Sequence, residues 1–422
     1  MERELRIVPG TADGFVTAPP SKSVSHRALI LASLCMPGAR TELEALSDCD
    51  DVRCTAEGLR ALGVAVTRRG DAVTVWSLSG AASEAVVDCG ESASSLRFLI
   101  PYAAFLGVRT LFRVSPGLRV RPVLEFANLL GKSCSLSWTE EGLLLCGKCR
   151  KTVFRPSGKI SSQFASGLLM AAPLAGKTVR IICPEKSVSF PYIELTARTM
   201  ERFGFGISRT AEGFEVEPVR PAGPVRFRVE GDWSQAAFWL CLGALRAEKG
   251  LTVRGLDPAS AQGDREILKI LASSGAGIET SGDSVTVRKC SEWREQCLDV
   301  SNTPDLFPLL AVLGSFSGRY WRFYGLSSLR HKESDRVETV GKALSALGVK
   351  IFPGENDEIF VCGRNADACC DDISGWGDHR IVFAETLFSL GAGKPICIHE
   401  DGCTRKSWPS FADELRAMGL AE

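Results

Sequence analysis

SKSVSHRALILASL, residues 21–34, passes within a few residues from hydroxyls and a lysine into an apolar run with the composition of a buried helix. The same transition recurs as SSLRFLIPYAAFL (94–106), SSQFASGLLMAAPL (161–174), DWSQAAFWLCLGAL (232–245), PDLFPLLAVLGSF (304–316) and DHRIVFAETLFSL (378–390). Counted at Ser23, Ser95, Ser162, Ser234, Asp305 and Asp378, the intervals are 72, 67, 72, 71 and 73 residues. A second marker keeps this period: a more charged helical stretch reaches Gly63, Gly131, Gly204, Gly275, Gly348 or Gly419. Self-similarity at a fixed period means one supersecondary unit used repeatedly, here six times.

Within a unit, the closing Gly is followed by strand, turn and strand. Examples are VAVTRRGDAVTVW (64–76), ISRTAEGFEVEP (207–218), IETSGDSVTVR (278–288) and VKIFPGENDEIFVC (349–362). Alternating apolar residues around Gly-Asp or Glu-Gly predict hairpins, and the Gly after each charged helix predicts a left-handed C-cap. The first helix of each unit is apolar nearly all round and is expected to be buried. The second, as in SDRVETVGKALSALG (334–348), is amphipathic and is expected to cover the outside. The fold class is therefore α/β, with sheets around buried helices and six units arranged as two domains of three. A Pro/Arg-rich stretch, PVRPAGPVRFRV (218–229), marks the crossover between them.

A chain of 422 residues can bury a large core. Fifty basic and fifty acidic residues cancel, so nothing global points to nucleic acid or a membrane surface, and anion specificity must come from local clusters. MERELRIVPG lacks the apolar core of a signal peptide, and no apolar run is long enough to span a bilayer, so a soluble, cytoplasmic protein is expected. Sixteen cysteines include one CxxC, Cys146-Gly-Lys-Cys149, and the adjacent Cys369-Cys370. With four histidines and no second CxxC, zinc-ligand spacing is missing, and no bound metal is expected. No P-loop or Rossmann fingerprint appears.

Chemistry-bearing residues gather at one phase of the unit, the helix starts, where unpaired N–H groups and the positive dipole end favour phosphate or carboxylate. Ser23 and Arg27 lie four apart on one helix face and could grip one anion. Arg97 follows Ser94 by three residues, and Ser161-Ser162-Gln163 offers two hydroxyls and an amide. Arg121-Pro122 reads as the start of a charged helix, as does Ser189-Phe-Pro-Tyr192. The C-terminal half concentrates charge in Arg330-His-Lys332-Glu333-Ser-Asp335-Arg336, in Asp378-His379-Arg380 and around Lys406. Capping or solvation accounts for any one of these; their recurrence at equivalent positions favours a shared function.

Taken in order, PPSKSVSHR, DCGESASSLR, RPV, SSQF, SFPYIE, EGDWSQAAF, PDLFP, RHKESDR, GDHR and DGCTRK resemble the 5-enolpyruvylshikimate-3-phosphate (EPSP) synthase family over essentially the whole chain. The resemblance implies a two-domain inverse β-prism of six βαβαββ repeats. Residues 17–230 would form the shikimate 3-phosphate domain and 1–16 plus 231–422 the second, with the active site in the cleft between them. It also implies a cytoplasmic monomer without metal or organic cofactor, acting on small molecules rather than nucleic acid or membranes. The family transfers the enolpyruvyl group of phosphoenolpyruvate to the 5-hydroxyl of shikimate 3-phosphate and releases phosphate.

Carried over by motif, Lys22, Ser23, Arg27, Ser161, Ser162, Ser189, Tyr192, Asp305 and Lys332 would hold shikimate 3-phosphate. Lys22, Ala93, Arg97, Arg121, Gln163, Arg336, Arg380 and Lys406 would surround phosphoenolpyruvate. The catalytic candidates are Asp305 as base at the hydroxyl, Glu333 as a desolvated acid at the methylene, and Lys22 at the departing phosphate. Where the family often reads GNSGTTMR or GNAGTAMR, this chain has GESASSLR (90–97). Ala93 then replaces a glycine at the pocket, and weaker glyphosate binding than in an Ala93→Gly variant is expected. A related enzyme of the same fold uses a UDP-sugar and carries Lys-Asn where this chain has Lys22-Ser23, which favours the small phosphorylated acceptor here.

Overall fold

The computed structural model describes residues 3–70, 72–365, 372–400 and 402–422, so Cys369-Cys370 lie outside the described residues. By internal contacts the chain divides into two units, Met1–Pro19 with Gly231–Glu422, and Pro20–Glu230. Among the described residues no helix is long and apolar enough to cross a membrane.

Every sheet follows one wiring: a parallel pair, then an antiparallel hairpin. In Pro20–Glu230 the first sheet pairs Arg226–Arg228 in parallel with Arg40–Glu44, which continues antiparallel into Ala72–Trp76 and Val66–Arg69. The second runs Glu84–Asp88, Arg109–Arg113, Leu143–Gly147, Cys134–Trp138, and the third Val153–Phe154, Val179–Ile182, Gly213–Val216, Ile207–Thr210. The other unit repeats this twice, with Gly14–Thr17, Leu251–Arg254, Ser284–Arg288, Gly277–Ser281 and with Gln296–Asp299, Trp321–Tyr324, Ile359–Arg364, Val349–Pro353. Its last sheet has three strands. Asp372–Ser374 runs parallel to Ile396–Glu400, and the N-terminal strand Arg3–Ile7 stands in for the hairpin partner. The four hairpins read from alternation are all present.

The six apolar runs form helices for the expected reason. In Trp233–Arg246 every residue from Trp233 to Leu245 is buried, and in His379–Ala392 every residue from His379 to Leu390. Buried aliphatic and aromatic side chains each contribute about 1.5–3 kcal/mol, so these helices carry the cores. The second helices are amphipathic; Phe190–Phe203 buries one face and exposes the other. The six period-marking glycines all have positive φ. Gly204 (φ 85°, ψ 15°) closes its helix in the left-handed conformation that disfavours a Cβ. Gly131, at ψ −176°, departs from that cap into a region essentially reserved for glycine.

Capping side chains are where local sequence and structure differ. Ser21 Oγ accepts from Val24 N (3.4 Å), and Asp232 and Asp378 cap their helices through Ser234, Gln235 and Arg380 amides. In the second repeat the cap is Ser92, which accepts from Ser95 N (3.2 Å), so Ser94 and Ser95 lie inside the first turn of Ala93–Leu106. Arg121-Pro122 does not start a helix. It lies in the bend between the short helices Pro116–Arg119 and Glu125–Leu130, so the proline serves the turn instead of a first helical position.

Candidate active-site clusters

In Pro20–Glu230 the helix starts are stitched together by hydrogen bonds. Lys22, first residue of Lys22–Ser33, donates through Nζ to Asp51 Oδ2 (3.0 Å), a buried carboxylate at the start of Asp50–Ala61. Asp51 O accepts from Ser95 Oγ (3.0 Å), whose hydroxyl also meets Thr55 Oγ1 (2.7 Å). Thr55 in turn meets His26 Nδ1 (2.7 Å). Burial pulls the His26 imidazole down to about 3, aided by Lys22 and Arg27 and opposed by Asp51, so the ring is neutral.

Arg97 Nη1 donates to Gln163 Oε1 (2.8 Å), and Gln163 Nε2 to Ser94 Oγ (2.8 Å). Arg97 Nε and Nη2 both bind Pro122 O, so the bend beside Arg121 is tied to the same group. Ala93, the residue that departs from the family glycine, is buried in the first turn just before Ser94.

Arg27 is 2% exposed, and its partners are all neutral: Thr196 Oγ1 (2.8 Å), Ser23 O (2.7 Å), Tyr192 O (2.9 Å) and Ser166 Oγ (3.4 Å). Burial lowers its guanidinium to about 10, which leaves it charged at neutral pH. A buried cation satisfied by carbonyls and hydroxyls but facing no carboxylate is a costly arrangement unless an anion completes it. Ser23 and Arg27 are thus joined, through the Ser23 carbonyl.

Ser161 Oγ accepts from Gln163 N (3.3 Å), and the buried Ser162 precedes Gln163–Ala171 without a side-chain cap bond. Ser189 precedes Phe190–Phe203 in the left-handed region (φ 55°, ψ 36°), buried and not glycine. Holding it there costs on the order of 1 kcal/mol, a strain that concentrates at functional positions.

In Gly231–Glu422 the corresponding phase is a knot of opposite charges. Asp305, in the turn Pro304–Leu306, takes Arg336 Nη1 (2.6 Å) and Lys332 Nζ (3.4 Å) on Oδ1 and Arg380 Nη2 (3.4 Å) on Oδ2. Burial would raise the Asp305 carboxyl, but Lys332, Arg380 and Arg336 outweigh burial and Glu333 and hold it well below the usual carboxylate range. Arg336 is buried and also binds Glu333 Oε2 (2.9 Å) and Asp378 Oδ2 (2.9 Å). Burial opposes its charge; Asp378, Glu333 and Asp305 more than restore it. Lys406 Nζ sits 3.2 Å from Glu333 Oε1. Glu333 therefore lies between two cations. Arg380 is anchored by Ser234 O (2.9 Å) and Oγ (2.6 Å). The aromatic core fixes this group: Trp408 packs on Phe383 (5.5 Å) and Phe411 (5.0 Å), two residues beyond Lys406.

A family model for EPSP synthase (3-phosphoshikimate 1-carboxyvinyltransferase) matches residues 8–415. The chain belongs to the EPSP synthase family. Among the curated relatives named 3-phosphoshikimate 1-carboxyvinyltransferase, that of Clostridium kluyveri is 34% identical over 98% of this chain and 97% of its own. That of Methanopyrus kandleri is 34% identical over 96% of each. The EPSP synthase of Acinetobacter baumannii has the same fold, with a TM-score of 0.78 over 100% of this chain and 99% of that one at 22% identity. The enolpyruvyl transferase NikO of Streptomyces tendae shares it at 0.73 over 99% and 98%, at 16% identity. Hydrogen bonds thus join sequence-read residues around Lys22, Arg97 and Arg27 in Pro20–Glu230 and around Asp305 and Arg336 in Gly231–Glu422. Three acids in or beside those groups were not singled out from sequence for a role: Asp51, Asp232 and Asp378. Each begins or caps a helix, and an acid at that position was the signal available.

Proposed function

We infer that this chain is a 3-phosphoshikimate 1-carboxyvinyltransferase, which moves the enolpyruvyl group of phosphoenolpyruvate to the 5-hydroxyl of shikimate 3-phosphate and releases phosphate. Full-length likeness to enzymes of that name supports the reaction. The observation that carries the assignment of parts is the buried Arg27, a cation with only neutral partners, beside hydroxyl-bearing helix starts. Arg27, Ser23, Ser161, Ser162, Ser189 and Tyr192 hold the acceptor's phosphate and ring. Lys22, Arg97, Arg121, Gln163, Arg336, Arg380 and Lys406 receive phosphoenolpyruvate, and Asp305 and Lys332 meet the acceptor from the second unit.

The charge knot gives the chemistry a trigger. A carboxylate ringed by three cations is a weak base, so Asp305 is held inactive until anionic substrates draw Lys332, Arg336 and Arg380 away. Its proton affinity then rises, and it takes the 5-hydroxyl proton as that oxygen attacks C2. Glu333, relieved of Arg336 and Lys406 by the phosphoenolpyruvate anion, takes up a proton from solvent and delivers it to C3. Elimination returns that proton and expels phosphate, whose charge Lys22 meets.

Phosphate release is measured with phosphoenolpyruvate plus shikimate 3-phosphate, and in parallel with a UDP-sugar acceptor. Turnover requiring shikimate 3-phosphate is expected. Release with the UDP-sugar alone, or with neither, overturns the reading.

A further inference from the structure

The outward face of the three-stranded sheet carries side chains that the proposed reaction does not use. In the central strand Ile396–Glu400, Ile396 and Ile398 are buried, so Cys397 and His399 alternate to the other face. Register sets Cys397 opposite Arg6 on one side and Asp372 on the other, and His399 opposite Glu4 and Ser374. One ligand atom each of Asp372, Cys397 and His399 lies within 4.8 Å of the others. His399 Nε2 contacts Asp372 Oδ1, and His399 Nδ1 lies 3.9 Å from Glu4 Oε1. We propose that Asp372, Cys397 and His399 form a three-ligand binding site for a divalent transition metal of the zinc type.

The donor set decides the class of ion. Imidazole, thiolate and carboxylate together suit zinc or cobalt, whereas calcium and magnesium take oxygen ligands. Three ligands from two adjacent strands, with solvent at the fourth position, are compatible with the tetrahedral arrangement zinc prefers. The local field agrees in sign. Glu4 and Asp372 lie on the strands flanking Cys397, with Arg6 opposite it, so two carboxylates and one guanidinium surround the site. The carboxylates that disfavour a bare thiolate favour a dication. On binding, the metal–sulfur bond replaces the S–H bond and the proton leaves to solvent. No redox partner is needed. Sequence spacing hides the site because its ligands lie 25 and 2 residues apart in the chain, on adjacent strands instead of in a CxxC loop.

The consequence is a clip between Ile396–Glu400 and Asp372–Ser374, in the one sheet that lacks a fourth strand among the described residues. The test uses the full chain, stripped with EDTA and titrated with Co2+ and then Zn2+. One equivalent of Co2+ with a sulfur-to-cobalt absorption band is expected, together with proton release on Zn2+ binding and a melting temperature that rises with Zn2+. Cys397→Ser should abolish the band. His399→Ala and Asp372→Asn should each weaken Zn2+ binding more than about tenfold. All three should keep the wild-type rate of carboxyvinyl transfer, since none belongs to the clusters above. A saturated Co2+ complex without a sulfur band, or equal Zn2+ affinity in wild type and variants, overturns the site and leaves a surface His–Asp pair. Because the three positions are at least partly exposed, each variant should keep the parental circular dichroism.

Discussion

The two units treat their cations in opposite ways. In Pro20–Glu230, Arg27 is buried against carbonyls and hydroxyls, while Lys22 at the neighbouring helix start grips an acid, Asp51. In Gly231–Glu422, Arg336, Arg380, Lys332 and Lys406 are shared among Asp305, Glu333 and Asp378. In the first arrangement the hydrogen bonds of Arg27 among the described residues all go to neutral groups, which leaves its buried charge suited to an anionic ligand. In the second, cations and carboxylates neutralise one another, so under the proposed function a substrate anion would compete with those carboxylates. Neutral hydrogen-bond partners thus preorganise a binding site, whereas acidic partners can hold a catalytic group in reserve.

The largest expected effect tests the reserve. Asp305→Ala removes the acid shared by three cations and the proposed base, and kcat should fall more than about a hundredfold. Steady-state phosphate release within tenfold of wild type would remove Asp305 from the chemistry.

Next comes the preformed side. Arg27→Ala should raise KM for shikimate 3-phosphate about ten- to a hundredfold, the range for charge-assisted hydrogen bonds, and leave KM for phosphoenolpyruvate within a few-fold. A rise in both would mean that Arg27 serves the fold of its unit and not one substrate.

Asp51→Asn asks whether Lys22 depends on its acid. About a tenfold loss in kcat is expected from a less well placed ammonium. Unchanged kcat across the pH range would show that Lys22 needs no such partner.

The smallest effect sharpens the contrast with an acid that has no cation at all. Glu385 is 1% exposed, neither carboxyl oxygen has a hydrogen-bond partner, and burial pushes it up to about 9. Between pH 4.5 and 9 the unfolded chain has lost this proton while the folded chain keeps it. Stability therefore falls as pH rises through that window. Glu385→Gln should remove the slope and gain about 1–3 kcal/mol at pH 8, the gain shrinking toward pH 4.5. Parallel melting-temperature profiles for the two proteins would refute the buried neutral acid.

What the sequence made legible was mostly what has a local cause, although Gly131 departs from the expected left-handed cap. Helical apolar runs, hairpins around Gly-Asp turns and positive-φ glycines follow from periodicity and backbone sterics, and they were read correctly from 64–76 to 378–390. The pairings inside the clusters were not legible. Arg27 meets Tyr192 and Thr196 across 165 and 169 residues, and Arg380 meets Ser234 across 146. No local propensity encodes such contacts. The left-handed Ser189 was hidden for the converse reason, since its neighbours impose a conformation that its own side chain disfavours. Arg121-Pro122 misled because a proline fits a turn as well as a first helical position.

The three-stranded sheet also sets an order of events during synthesis. Arg3–Ile7 leaves the ribosome long before its partner Ile396–Glu400 and the residue Ala421 that bridges to Ile7. The sheets of Pro20–Glu230 contain every strand they need once Arg226–Arg228 has emerged. The inserted unit can therefore finish while the unit that surrounds it in sequence waits with its earliest strand unpaired, a nascent edge that the cell must shield for the length of nearly the whole chain.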